Sequence, residues 1–141
     1  MTFELHPRLA ADTIVLGDFP LCRLLLMNDA QYPWFILVPR REGAREIYLL
    51  EERDQQQLLR ESTHLSRAIM EAFRGDKLNV AALGNVVPQL HVHHIVRYQG
   101  DRAWPAPAFG GDPPPQYTEA ARQQRVAALR SRLGDDFVWA V

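Results

Sequence analysis

Three strand-like runs follow one another with only turns between them: TIVL (13–16), LCRLLLM (21–27) and WFILVPR (34–40), separated by GDFP and NDAQYP. Linkers of four and six residues are too short for the crossover that two parallel strands need, usually a dozen residues or more. These strands must therefore run antiparallel, with Gly17, Pro20, Asn28 and Pro33 supplying turn chemistry. Next comes the clearest helix. Leu58, Leu65, Ile69 and Phe73 recur at helical spacing, Asp54 offers an N-cap with Gln57 three residues on, and Gly75 a stop. KLNVAALG reads as a fourth strand and PQLHVHHIVRY as a fifth. A proline-rich loop (100–116) then leads to an amphipathic helix (117–134) whose apolar edge is Val126, Leu129 and Leu133. HPRLAAD at the start is a short helix candidate. The pattern predicts an α+β domain: an antiparallel sheet of about five strands, one main helix and a C-terminal helix.

The chain has 141 residues, which suits one domain with one core over 1–141. A formal net charge of −1 lacks the basic footprint of non-specific nucleic-acid binding, yet a few local arginines suffice for a small phosphorylated ligand. Cys22 is the only cysteine, so no intramolecular disulfide can form, which suits a reducing compartment. The opening MTFELHPRLAAD lacks the order of a signal peptide, and no apolar run nears the ~20 residues of a membrane span. A soluble, cytoplasmic protein is expected.

Chemistry concentrates in QLHVHHIVRY (89–98), which holds three of the five histidines. In a strand Gln89, His91, His93 and Ile95 share one face, and Leu90, Val92, His94 and Val96 the other. Three readings compete for the row His91–His93. A structural role would need a partner for each buried imidazole, at a cost of about 1–3 kcal/mol for each one left unpaired. A metal site would use H-x-H as two ligands, but neither His6 nor His64 has a spacing that recommends it as the third. Nucleophilic catalysis would use one neutral imidazole to attack phosphorus and its neighbour to stabilise charge on the phosphate oxygens. His94, among aliphatic residues on the opposite face, fits a structural role better.

Q-L-H-V-H-H-I-V-R resembles the signature of the histidine triad (HIT) family, His-φ-His-φ-His-φ-φ with φ apolar. The resemblance runs from about residue 12 to 98, and LLLMNDAQYPWFILVPR is similar to the family's second and third strands. It implies a HIT-like fold and a homodimer. It also implies a nucleotide hydrolase or transferase that cleaves at the α-phosphate of a dinucleoside polyphosphate or nucleoside phosphoramidate, through a nucleotidyl-histidine and with no cofactor or metal required. By the same resemblance His91 is the nucleophile, and His93 stabilises phosphate and gives a proton to the leaving group. Gln89 and Asn85 become hydrogen-bond partners of phosphate or imidazole, with Gly84 beside Asn85. Asn28, with Asp29 as its rival, is the ribose ligand, and Arg97 a further candidate for the nucleotide.

Three departures bear on the leaving group. Gln89 stands at the first histidine of the triad, Trp34 where many members have another histidine, and Val86 where a Ser or Thr often contacts phosphate. The alternatives are a nucleotide-binding protein with little turnover and, third, a metal-dependent hydrolase.

Overall fold

The computed structural model describes residues 2–141. The elements are α1 (Pro7–Asp12), β1 (Thr13–Asp18), β2 (Cys22–Met27), β3 (Trp34–Pro39), α2 (Glu52–Phe73), β4 (Lys77–Ala81), β5 (Val92–Arg97), α3 (Glu119–Ala127) and β6 (Val138–Trp139). One antiparallel sheet has the order β4-β5-β3-β2-β1-β6. The short turns force the β1-β2-β3 meander as expected, and β5 then pairs with β3 on one side and β4 on the other. The sixth strand, β6, is two residues at the far edge, too short to show alternation in a sequence.

Alternation divides the sheet into two apolar layers. Phe35 and Leu37 of β3 and Val92 and Val96 of β5 face the long helix, where Leu58, Leu65 and Ile69 of α2 and Val126 of α3 complete the main core. Trp34, Ile36 and Val38, with Ile95, face the other way into a smaller layer with Leu9 of α1 and Phe109 of the proline-rich loop. Helix α2 thus covers one face, and α1 with the loop covers the other. Among the described residues no helix is long and apolar enough to cross a membrane.

Both ends of α2 differ from the expectation. Its N-cap lies three residues earlier than Asp54, at Glu51, with no side-chain cap. Asp54 sits instead in the first turn, 6% exposed, where its carboxylate takes Arg41 at 2.7 and 3.0 Å. The stop is Arg74, left-handed at φ 52°, and not Gly75. Gly75 is needed for a different reason: a Cβ there would lie 2.3 Å from Cγ1 of Val96. The C-terminal helix is shorter than expected, Glu119–Ala127, with the Thr118 hydroxyl capping the Ala121 N–H. The regular part of the histidine strand starts only at Val92.

Candidate active site

His91 and His93 lie on the face away from α2, as the alternation implies, with ring centroids 5.0 Å apart. Both are nearly buried, 8% and 6% exposed. Their hydrogen bonds set opposite tautomers. Nδ1 of His91 is 2.6 Å from the carbonyl oxygen of Gln89, an acceptor only, so the ring carries its proton there and leaves a lone pair on Nε2. Nδ1 of His93 accepts from the indole N–H of Trp34 at 2.9 Å; indole is a donor only, so neutral His93 carries its proton on Nε2. One imidazole offers a lone pair, the other a proton.

Trp34 reaches His93 because β3 and β5 are neighbours. Trp34 pairs with Ile95 and Ile36 with His93, so Trp34 and His93 are diagonal on one face, within reach of a large ring. Phe109 closes the cluster edge-on, 4.9 Å from the His93 ring and 5.5 Å from Trp34. The resemblance marks position 34 as one where many members have a histidine, but the contacts of Trp34 and Phe109 with His93 are not legible in the sequence. Trp34 reads in the sequence as core or base-packing surface, and Phe109 as a loop anchor.

Burial, followed by the charges of His91 and His94, pushes the His93 pKa down to about 3. On the other face His94 is fully buried, its Nδ1 3.0 Å from the Val92 carbonyl and its Nε2 2.7 Å from the Ser62 hydroxyl of α2. Burial pushes it to about 4, against the backbone hydrogen bond, which acts the other way. Its two partners give it the structural role expected of it. Both folded values lie below the ordinary 6.5, so on acidification the unfolded chain takes up protons before the folded one does. Stability is therefore full above about pH 6.5 and falls as the pH drops towards 4, by about 1.4 kcal/mol per pH unit for each histidine. Urea unfolding at pH 7 and pH 5 reads this directly, and an unchanged midpoint would mean that neither ring is held neutral.

Two expected site residues are employed elsewhere. The side-chain amide of Gln89 is used at both ends: Oε1 accepts from the His6 N–H at 2.8 Å and Nε2 donates to the Glu4 carbonyl at 2.9 Å. Its side chain therefore clasps the N-terminal segment, and what Gln89 gives His91 is its backbone carbonyl. Arg97 is 1% exposed, and all three of its side-chain nitrogens already donate. Nε and Nη2 reach the Asp101 carboxylate at 2.8 Å each, and Nη1 reaches Oδ1 of Asn79 at 2.9 Å. The guanidinium also lies over the rings of Tyr32 and Trp104. Arg97 is thus the anchor of the proline-rich loop and has no nitrogen idle for a nucleotide. Asp101, which no local pattern singles out, accepts from the Tyr98 and Trp104 N–H groups as well. The Arg97 guanidinium holds its carboxyl below the usual range.

Asn28 and Asp29 line a cavity of about 670 Å³ between α1, the β2–β3 turn and the proline-rich loop, with Trp34 as the wall it shares with the histidines. That volume is in the range that takes a small organic ligand. Oδ1 of Asn28 accepts the Tyr117 N–H at 3.0 Å, so this residue pins the end of the loop. Asp29 accepts the Gln31 N–H on Oδ1 at 2.9 Å, and no described residue pairs with its Oδ2. Burial raises its pKa, while Arg102 draws it back. Gly84, at φ 74°, and Asn85 sit in the β4–β5 loop, which Val87 fastens to the histidine face. Asn85 is exposed and has no protein partner among the described residues. No group of three or more His, Cys, Asp or Glu side chains suited to a metal occurs among the described residues.

A sequence model of the HIT domain matches residues 8–100. Three solved structures are similar over nearly their whole length. A histidine triad protein from Marinobacter aquaeolei VT8 is 59% identical, with 94% of this chain and 97% of that chain covered and a TM-score of 0.92. One from Bradyrhizobium japonicum is 48% identical, covering 95% and 100%, TM-score 0.92. One from Sinorhizobium meliloti 1021 is 39% identical, covering 94% and 98%, TM-score 0.91. A search of the curated proteins finds no match. On its fold, its paired histidines and these likenesses, the chain belongs to the histidine triad (HIT) family, with Gln89 at the place of the first histidine.

Proposed function

We propose that this protein is a nucleotidyl hydrolase or transferase that cleaves a dinucleoside polyphosphate or nucleoside phosphoramidate at the α-phosphorus, with His91 as nucleophile. HIT proteins bind nucleotides, and many are nucleotide hydrolases or transferases. The observation that carries the reading is the opposed tautomers: a lone pair on Nε2 of His91 beside an N–H on Nε2 of His93. In the first step the His91 lone pair forms the N–P bond. The bond from phosphorus to the leaving group breaks, and its electron pair stays on the departing oxygen, or on a departing nitrogen that takes up a proton from water. The ring then carries a positive charge, with its Nδ1–H held by the Gln89 carbonyl. His93 donates to a phosphate oxygen, where charge builds. Water then forms a P–O bond, the N–P pair returns to His91, and the water's proton goes to solvent.

The cavity beside Trp34 is the proposed seat of the nucleoside. Two ribose hydroxyls need an acceptor; the unpaired Oδ2 of Asp29 favours it over Asn28, whose Oδ1 is engaged. Asn85 keeps its proposed role at the phosphate, since its side chain is exposed and has no partner among the described residues. A homodimer is the proposed assembly, through the open edge of β4, where Val80 is half exposed. Sedimentation showing a monomer-mass species at working concentrations would exclude it.

The test is to mix the protein with a diadenosine polyphosphate, with and without EDTA, and stop the reaction in alkali, which spares phosphoramidates. A nucleotidyl adduct on the peptide that contains His91, with monophosphate released despite EDTA, is expected. Turnover lost to EDTA with no adduct would replace this mechanism by the metal-dependent one. Nucleotide retained without release would make the chain a binding protein.

A further inference from the structure

We infer that Trp34 fixes the leaving-group class: by holding His93 as a neutral Nε2–H donor, it suits the site to leaving groups that depart as oxyanions, such as a nucleoside polyphosphate, and not to amines. The inference rests on the hydrolase reading above and narrows its substrate.

The argument starts from what indole lacks. Trp34 Nε1 has one proton and no lone pair to offer in the ring plane, and it points that proton at Nδ1 of His93 from 2.9 Å. A protonated His93 would bring a second N–H to the same spot, so the hydrogen bond would be lost and two donors would face each other. His93 therefore stays neutral, in keeping with the pKa of about 3 that its burial produces. A neutral imidazole that gives up its only proton becomes imidazolate, which is far too basic to form near neutrality. Nor can the proton be replaced from behind, because the indole N–H is far too weak an acid to give its proton up. His93 can donate a hydrogen bond but cannot act as a general acid. The proton-donor half of the role expected for it from sequence is thus withheld.

The neighbours do not make up the loss. The rings packed on His93 are Trp34, His91 and Phe109. Of these only His91 is a second imidazole, and its proton lies on Nδ1 against the Gln89 carbonyl. His94 is on the opposite face, bound to Ser62 and Val92.

The consequence depends on the bond that breaks. When it joins phosphorus to a bridging oxygen of a polyphosphate, the electron pair stays on that oxygen and the chain leaves as an anion, without needing a proton. When it joins phosphorus to nitrogen, the nitrogen must gain a proton as the bond breaks, since an amide anion does not leave. A missing general acid costs such a reaction about 10²–10⁴-fold. A histidine at position 34 would remove the block, because its ring nitrogen can turn a lone pair towards His93 and accept the Nδ1–H of an imidazolium.

The experiment compares kcat/KM for a diadenosine polyphosphate and for adenosine phosphoramidate in the native protein, Trp34→His and Trp34→Phe. Nitrogen-15 spectra of the His93 ring are recorded alongside. Native protein is expected to favour the polyphosphate by about 10²-fold or more. Its His93 should show a protonated Nε2 and a bare Nδ1 that stays bare down to pH 5. Trp34→His should shift the substrate ratio at least about tenfold towards the phosphoramidate, with His93 now titrating. Trp34→Phe, which keeps a ring in the same space, should release the tautomer without the gain in phosphoramidate turnover. A native protein that prefers the phosphoramidate, or a His93 protonated on Nδ1, would overturn the inference and leave the hydrolase reading standing. Native protein that turns over neither substrate, with the tautomer as stated, would instead bring down the hydrolase reading. If Trp34→His does not fold, the native ratio and the native and Trp34→Phe spectra still decide.

Discussion

His91→Ala is expected to release nucleoside monophosphate from a dinucleoside polyphosphate on the order of 10⁴-fold more slowly than the native protein, or not at all. Removing a nucleophile deletes the covalent route, so the loss should resemble that of other nucleophile knock-outs. The fold should lose little. His91 lies just before the regular part of β5, and its one hydrogen bond is to a backbone carbonyl. An unsatisfied carbonyl at a partly accessible position costs about 1 kcal/mol, so the thermal midpoint should fall by a few degrees only. Nucleotide should still bind, because the cavity walls are untouched. Retained turnover in His91→Ala would remove His91 from the chemistry.

Asp101→Ala should be the most damaging single change outside the two cores. It strips the carboxylate from a guanidinium that is 1% exposed and leaves that charge buried with no anion, only the Asn79 amide and the Tyr32 and Trp104 rings, to meet it. Breaking a buried pair from one side costs about 3–5 kcal/mol, a drop in Tm on the order of 10 °C for a chain of this size. The backbone N–H groups of Tyr98 and Trp104 lose their acceptor too. Arg97→Met with Asp101→Ala should be milder than Asp101→Ala alone, since no charge is then left behind. Thermal melts of the two variants read the difference. A double variant no more stable than the single one would mean that the pair's charges do not govern the loop. Turnover should fall in both variants, because the loop carries Phe109 onto His93.

What the sequence made legible was whatever a local period or a short linker decides. Short turns forced the meander, and alternation assigned His91 and His93 to one face and His94 to the other, as the two apolar layers bear out. What escaped was set by contacts distant in sequence. Asp54 looks like a helix cap until Arg41 claims its carboxylate. Gln89 and Arg97 were drawn towards the ligand by their residue type and their place beside the histidines. Their true partners, the backbone of Glu4 and His6 in one case and Asp101 with Asn79 in the other, appear only when the chain has closed. The part played by Trp34 needed the β3–β5 register, since nothing in WFILVPR says which ring its N–H will meet.

The pleat of β5 keeps two kinds of change apart. Its odd column, His93, Ile95 and Arg97, with His91 just ahead of it, carries the paired histidines and the loop's mooring; its even column, Val92, His94 and Val96, belongs to the layer beneath α2. Trp34, which bonds to His93, sits on the adjacent strand, one diagonal away, in the smaller apolar layer. A change at position 34 can therefore alter the partner of His93 while the layer beneath α2 goes on unchanged. The two faces of this one strand thus answer to different neighbours: the histidine pair to β3 and the proline-rich loop, His94 to α2.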